Sequence, residues 1–128
     1  MSELTEGYKL SGQRLVMYSD LNAAGRLFGG RLMAWLDESL AMSAMQMMGT
    51  NTIVTKKFGE LVFDAPGLLG DFVEIWCRPA REGRTSLTLE CRALVHQLEP
   101  PALKQICQAT VVYVAIDKDG QPRPWREA

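Results

Sequence analysis

The strongest constraint on the fold is a single helical segment that is followed only by strand patterns. Residues 32–48 are rich in Leu, Met and Ala, contain no proline and stop at Gly49, a common signal for a helix C-terminus. Runs rich in Val, Thr, Ile and aromatic residues then predict four strands, separated by Pro- and Gly-containing breaks. These strands are 52–63, 71–78, 85–96 and 103–116. With a short strand expected at 14–18, after a polar leader, the order predicts an α+β fold in which an antiparallel sheet buries one helix.

Methionine is concentrated on the predicted helix. Five of the seven methionines lie there: Met33, Met42, Met45, Met47 and Met48. Apolar residues extend around most of the helix circumference, as expected for a helix enclosed by a sheet. We interpret these methionines as core packing, because Met commonly fills irregular gaps in cores.

Size and charge limit the classes of function. A chain of 128 residues has the common size of one domain, so we predict a single domain over 1–128. The net charge is −1 and the longest basic run is Lys56-Lys57, which predicts no binding to nucleic acid or acidic lipid. The start carries no secretory signal and no window is apolar enough for a membrane span, so we expect a cytoplasmic location.

The cysteines and the histidine favour a chain without a metal site. Cys77, Cys91 and Cys107 show no CxxC spacing and fall inside predicted strands, which indicates reduced, buried thiols. His96 is the only histidine and lies near the end of a predicted strand, where a surface histidine is the simpler interpretation. We therefore predict no metal.

A carboxylate interrupts the apolar stripe of the predicted helix. At about 100° per residue, Asp37 projects within the stripe, whereas Glu38 points away from it. The apolar members of the stripe are Met33, Leu36, Leu40, Ala44 and Met47. A carboxylate there is costly to bury unless it is paired, and desolvation makes it a stronger base. Asp37 is thus a candidate general base; alternatively, it lies at the edge of the stripe and reaches solvent or an arginine.

A glycine-rich turn at residues 22–30 leads straight into the helix. Unpaired backbone N–H groups and the helix dipole favour negative charge at such a start, and small residues let a ligand approach the backbone. The region of Gly29 and Gly30 is therefore a candidate oxyanion hole for a carbonyl oxygen that becomes charged. The alternative is an ordinary glycine turn entering a helix.

Five motifs in this order resemble the hotdog-fold acyl-CoA hydrolases of the hydroxybenzoyl-CoA thioesterase superfamily. They are N-A-A-G-R-L-F-G-G at 22–30, Asp37 seven residues later, F-D-A-P-G-L-L-G-D at 63–71, G-R-T-S at 83–86 and A-I-D-K-D-G-Q-P-R-P at 115–124. The likeness covers nearly the whole chain after residue 14. It implies a hotdog fold, a five-stranded antiparallel sheet wrapped around one long central helix, in subunits that join their sheets edge to edge as a homodimer. In this family, three such dimers often form a hexamer.

The resemblance also implies an activity, the hydrolysis of acyl-CoA thioesters without a further cofactor. It assigns Asp37 the role of general base or nucleophile, and it assigns Asn22 the positioning of the water or thioester. These two residues are expected from different subunits of the dimer. The glycine pair Gly29 and Gly30 is expected to polarise the thioester carbonyl.

The turn at Arg84, Thr85 and Ser86 resembles the turn that contacts the nucleotide end of CoA in relatives. Backbone amides, hydroxyls and an arginine suit phosphate binding. Arg123, in the polar tail, is a second candidate; the alternative is a solvated arginine.

The chain departs from the family pattern at the presumed acyl tunnel. Gly67 follows Pro66 where relatives often carry a branched aliphatic residue, and Glu38-Ser39 follows Asp37 where small pairs are common. The acyl chain length is therefore not carried over from the resemblance. Two alternatives to a thioesterase are a hotdog hydratase, which requires a histidine near the helix that His96 does not supply, and a non-catalytic acyl-CoA sensor, which needs no carboxylate.

Overall fold

A computed structural model describes residues 3–126 of the chain. The element order is β1 (Lys9–Leu15), a 3-10 turn (Tyr18–Asp20), α1 (Gly29–Met48), β2 (Ile53–Phe63), β3 (Phe72–Glu82), β4 (Ser86–Leu98) and β5 (Pro101–Ala115). The five strands form one antiparallel sheet in the order β1-β3-β4-β5-β2. The predicted α+β fold, a hotdog arrangement of five strands around one helix, is confirmed.

Helix α1 begins three residues before the predicted start and ends as predicted. Gly49 follows Met48 with φ 71°, the left-handed conformation that glycine adopts without a steric penalty, and its N–H donates to the Met45 carbonyl. Because this closes the helix sharply, the chain can turn back into β2 within four residues.

The first strand is longer and earlier than the predicted 14–18. It spans Lys9–Leu15, so part of the presumed polar leader is the edge of the sheet, paired with β3. Most of its side chains are exposed, and an exposed edge strand lacks the apolar alternation by which a strand is recognised. Gly12 lets β1 lie against the helix, because a Cβ there would stand 2.6 Å from the Ser39 Oγ atom.

The core lies between α1 and the concave face of the sheet. From the helix it takes Leu32, Trp35, Leu36, Leu40, Ala44 and Met48, which are buried against alternate residues of β3, β4 and β5. The three cysteines are buried and reduced, as predicted. Burial raises the pKa of the Cys91 and Cys107 thiols to about 12, so both stay protonated near neutral pH.

The predicted burial of the helix methionines is wrong in part. Met48 is buried, but Met42 and Met47 are 52% and 36% exposed, and the buried stripe runs instead through Trp35 and Ser39. The sheet of one protomer covers one side of α1, so an apolar residue on the opposite side has no cover within the chain. No helix in the described part of the chain combines the length and apolarity that a membrane crossing requires.

Candidate active site

Asp37 lies in the middle of α1, half-buried, where the helix faces the β2 and β5 side of the sheet. Its Oδ1 atom accepts two hydrogen bonds: one from Thr55 Oγ1 on β2 at 2.8 Å and one from the Tyr113 hydroxyl on β5 at 2.9 Å. The Tyr113 hydroxyl also lies 3.1 Å from the Asp37 carbonyl oxygen. The carboxylate is therefore held by two strands at once, and no arginine of residues 3–126 forms an ion pair with it.

The second carboxylate oxygen has a different environment. No donor among residues 3–126 contacts Asp37 Oδ2, and no ion pair of these residues includes Asp37. A carboxylate with one oxygen fixed and the other open is arranged to accept a proton or to attack a carbonyl carbon.

Tyr113 is fully buried, with an exposure of 0%. Burial raises the pKa of its phenol far above the usual value, and the hydrogen bond to Asp37 raises it further. The hydroxyl therefore stays protonated near neutral pH and donates to the carboxylate.

Asn22 lies in the turn before α1 and is exposed. Its side-chain oxygen accepts hydrogen bonds from the Ala24 and Arg26 amides, which fix the turn. Its side-chain nitrogen has no partner within residues 3–126, so two N–H donors point away from the turn's own network. The structure therefore supports Asn22 as a fixed donor to a ligand.

The helix start offers further donors. Phe28 is the N-cap of α1 and supplies no side-chain cap, and the amides of Gly29 and Gly30 have no acceptor in the described chain. A helix of 20 residues also places the positive end of its dipole there. These features fit the predicted oxyanion hole.

Asn22 and Gly29 line one cavity of about 390 Å³, together with residues that the sequence did not single out. Those residues are Arg26, Leu27, Leu32, Phe63, Asp64, Ala65, Pro66 and Gly67. Gly30 lines a neighbouring cavity of about 320 Å³ with Ser19, Phe28, Arg31 and Ala34. Asp37 lines neither. It lies eight residues beyond Gly29, about 12 Å along the helix axis, so one chain does not bring Asp37 and Asn22 into contact.

The turn between β3 and β4 places Arg84, Thr85 and Ser86 at the same end of the sheet as Tyr113. The side chain of Arg84 is exposed and has no polar partner in the described chain, and the hydroxyls of Thr85 and Ser86 have none either. The backbone is held firmly, because the Thr85 carbonyl accepts from Ala115 and the Arg84 carbonyl accepts from Trp125. The turn is therefore fixed through its backbone, with Arg84 exposed and Thr85 and Ser86 half-buried.

Arg123 differs from the solvated tail arginine that we considered. Its Nε donates to the Ile116 carbonyl at 2.9 Å and its Nη2 donates to Thr50 Oγ1 at 2.8 Å. The guanidinium thereby connects the tail to the loop after α1. Two of its donor groups are used inside the protein, which leaves fewer for a phosphate.

His96 lies near the end of β4 with its side chain 39% exposed, as expected for a surface histidine. Its ring stacks on Phe72 at a centroid distance of 5.0 Å, and its Nδ1 atom is buried 3.6 Å from Glu74 Oε2. This contact lies on β3 and β4, away from α1. Residues 3–126 contain no group of three or more His, Cys, Asp or Glu side chains that could hold a metal.

Thr55 and Tyr113 are the site residues that sequence reasoning missed. Tyr113 carried a usable signal: a tyrosine in the aliphatic run V-V-Y-V-A must find a partner for its hydroxyl if it is buried. Thr55 carried a weaker one, because threonine is common in strands without a polar role.

Comparison with known proteins agrees with the fold. The model of the thioesterase superfamily matches residues 24–98. The acyl-CoA thioester hydrolase YciA of Salmonella typhimurium is 34% identical over 113 residues, which cover 86% of this chain and 84% of that protein.

Two solved structures are similar over most of the chain. A hexameric thioesterase from Yersinia pestis superposes with a TM-score of 0.86 at 29% identity, covering 94% of this chain and 97% of that one. An acyl-CoA hydrolase from Staphylococcus aureus, solved with butyryl-CoA and CoA, superposes with a TM-score of 0.83 at 25% identity, covering 93% and 71%. Because the family model spans more than half of the chain and a curated relative exceeds 30% identity over most of its length, this chain belongs to the thioesterase superfamily.

Proposed function

We propose that this chain is an acyl-CoA thioesterase that hydrolyses acyl-CoA to a free acid and CoA. The observation that carries the proposal is the Asp37 carboxylate, which has one oxygen fixed by Thr55 and Tyr113 and the other without a partner among residues 3–126. Relatives named as acyl-CoA hydrolases supply the substrate class. A thioester is a suitable substrate for such a site, because thiolate is a good leaving group and needs no strong acid.

In the proposed reaction, Asp37 Oδ2 either takes a proton from water, whose oxygen attacks the carbonyl carbon, or attacks that carbon itself to form an anhydride that water then hydrolyses. Negative charge develops on the carbonyl oxygen and is stabilised by the Gly29 and Gly30 amides. The C–S bond breaks and the electron pair leaves with the CoA sulfur. Asn22 positions the water or the thioester through its side-chain N–H groups.

The site is completed by a second subunit. Asp37 lies beside the beginning of β2, through Thr55, and the Asn22 cavity lies beside the end of β2, through Phe63. Strand β2 is an edge of the sheet, and its side chains Val54, Val62 and Phe63 are 43%, 47% and 51% exposed. If two β2 strands pair antiparallel, the beginning of one meets the end of the other. Each Asp37 then approaches the cavity that contains Asn22 of the partner subunit.

The remaining roles follow the same geometry. The nucleotide end of CoA is proposed to bind at Arg84, Thr85 and Ser86. Arg123 is a weaker candidate for the same role, because only its Nη1 atom has no partner among residues 3–126. Hexamers among the structural relatives support a trimer of such dimers here.

The experiment is thiol release from a panel of acyl-CoAs of short, long and aromatic acyl groups. We expect turnover by the wild type and a loss of at least about a hundredfold in Asp37→Asn, equal to about 2.7 kcal/mol of transition-state stabilisation. Glu38→Gln is the matched control, because it neutralises the adjacent carboxylate, which forms only an exposed ion pair with Arg14. Full turnover by Asp37→Asn would remove the proposal, and binding of acyl-CoA without any thiol release would identify a sensor instead.

A further inference from the structure

We propose that Tyr113 is a positioning residue of the reaction, which fixes Asp37 Oδ1 so that Oδ2 is the oxygen that reacts. The inference rests on the proposed function and adds a residue to it. Tyr113 does not touch the substrate in this account; it acts through the carboxylate.

The geometry of the phenol supports this role. Its hydroxyl lies 2.9 Å from Asp37 Oδ1 and 3.1 Å from the carbonyl oxygen of the same residue, so it contacts both the side chain and the backbone of Asp37. A single hydroxyl has one proton and shares it between these two acceptors. The contact defines where the carboxylate lies relative to the helix.

Tyr113 is itself held rigidly by the sheet. Tyr113 is fully buried in the middle of the sheet, and its strand is paired on both sides, with Thr55 on β2 and Leu87 on β4. A buried tyrosine between two paired strands has little freedom to move, so its hydroxyl is a fixed donor to Oδ1.

The charged groups around Asp37 leave its orientation to hydrogen bonds. No lysine, arginine or histidine of the described chain pairs with Asp37, and the other titratable groups near the phenol are the Cys77 and Cys91 thiols, which remain neutral. Thr55 and Tyr113 are thus the two side-chain donors that orient the carboxylate within residues 3–126. Losing one of them leaves Oδ1 with a single donor.

The test is Tyr113→Phe, which removes only the hydroxyl. Because the ring still fills the core, we expect the fold to persist, kcat for acyl-CoA hydrolysis to fall about tenfold or more, and KM to change less than about twofold. A purely structural role for the hydroxyl would lower the free energy of unfolding but leave the kcat of the folded protein unchanged.

Tyr8→Phe is the matched control. Tyr8 also places its hydroxyl by a carboxylate, 3.3 Å from Glu90 Oε2, but on the opposite face of the sheet between Arg78 and Arg92. We expect wild-type kcat and KM in this variant. Wild-type kcat in Tyr113→Phe, alongside an inactive Asp37→Asn, would overturn the positioning role and leave the proposed function intact. Absence of thiol release from the wild type would overturn both.

Discussion

At the residue scale, the site depends on the different surroundings of the two Asp37 carboxylate oxygens. Oδ1 accepts two hydrogen bonds, whereas Oδ2 has no partner among residues 3–126. The sequence identified Asp37 because a carboxylate interrupts an apolar stripe, and that reasoning needs only helical geometry. It could not identify Tyr113, which is 76 residues away along the chain and meets Asp37 only when β5 packs on α1. Contacts of this kind depend on sheet register, which a single sequence does not encode locally.

The hydrogen bond that Thr55 donates to Asp37 is expected to contribute to kcat, and this can be tested. Thr55→Val keeps the β-branched shape on β2 but removes the 2.8 Å hydrogen bond to Oδ1. Because Tyr113 still holds the same oxygen, we expect a moderate loss, about threefold to tenfold in kcat, smaller than that of Asp37→Asn. The control is Thr52→Val on the same edge of the protein, because the Thr52 hydroxyl donates to Asn51 and does not contact Asp37. Equal losses in the two threonine variants would contradict a specific role for Thr55.

The buried thiols predict a pH dependence of stability. The pKa values of Cys91 and Cys107 are raised from a usual 9.0 to about 12 by burial. A group with a raised pKa in the folded state gives stability that is present below its unfolded pKa and is lost as pH rises through its folded pKa. We therefore expect the free energy of unfolding to fall between about pH 9 and pH 12.

The measurement for the thiols is urea unfolding at a series of pH values, compared with the double variant Cys91→Ala, Cys107→Ala. The alanines lower stability at every pH, but they remove the two thiols that ionise on unfolding. The decline above pH 9 should therefore be shallower in the double variant. Parallel declines in both proteins would show that other groups, such as lysines and tyrosines, cause it.

At the element scale, the predictions succeeded where periodicity is strong and failed where an element is exposed. The helix and the four later strands were placed to within a few residues, because their apolar faces are long and bounded by Gly and Pro. The predicted position of β1 was too far towards the C-terminus, because most side chains of this strand face solvent and give no apolar pattern. The polar tail carries no named helix or strand in its described part, but Trp125 packs against the core and donates to the β3–β4 turn.

The contact between tail and turn predicts an effect on CoA binding. The Trp125 backbone donates to the Arg84 carbonyl at 3.1 Å, and its indole Nε1 donates to the Ser86 carbonyl at 3.0 Å. Trp125→Phe keeps an aromatic ring but loses the indole donor, so the turn gains freedom. We expect KM for acyl-CoA to rise about threefold or more with kcat nearly unchanged, since uniform binding is lost.

Arg126→Ala is the control for Trp125→Phe. Arg126 belongs to the same tail, but its ion pair with Glu82 at 3.7 Å is exposed and contributes little to stability. We expect its KM to stay at the wild-type value. A fall in kcat with an unchanged KM in Trp125→Phe would contradict the assignment of this turn to CoA binding.

At the scale of the whole molecule, the central question is why one chain separates the two halves of its site. Asp37 and the cavity of Asn22 and Gly29 lie about 12 Å apart along one helix, and they flank opposite ends of the same edge strand. Met42 and Met47 remain exposed on the uncovered side of α1. Apolar residues and an unpaired edge strand left open by one protomer are both consistent with burial by further subunits.

This arrangement predicts that two inactive variants restore each other. Asp37→Ala removes the carboxylate and Asn22→Ala removes the amide, so each homodimer lacks one half of both sites. A mixed dimer carries one site with both lesions and one site with neither. If the subunits exchange at random in equal amounts, half of the dimers are mixed and about a quarter of all sites are intact, which follows from the twofold symmetry of the interface.

The measurement is thiol release after the two variants are mixed, unfolded in urea and refolded together. We expect recovery to about a quarter of wild-type activity per site. Each variant refolded alone is the control and should stay inactive. Recovery requires that the carboxylate and the amide come from different chains, because a site built within one chain keeps its lesion in every combination. Full inactivity of a refolded mixture that has the wild-type oligomeric size would place both residues in a single-chain site and would exclude the pairing of β2 strands as the origin of the active site.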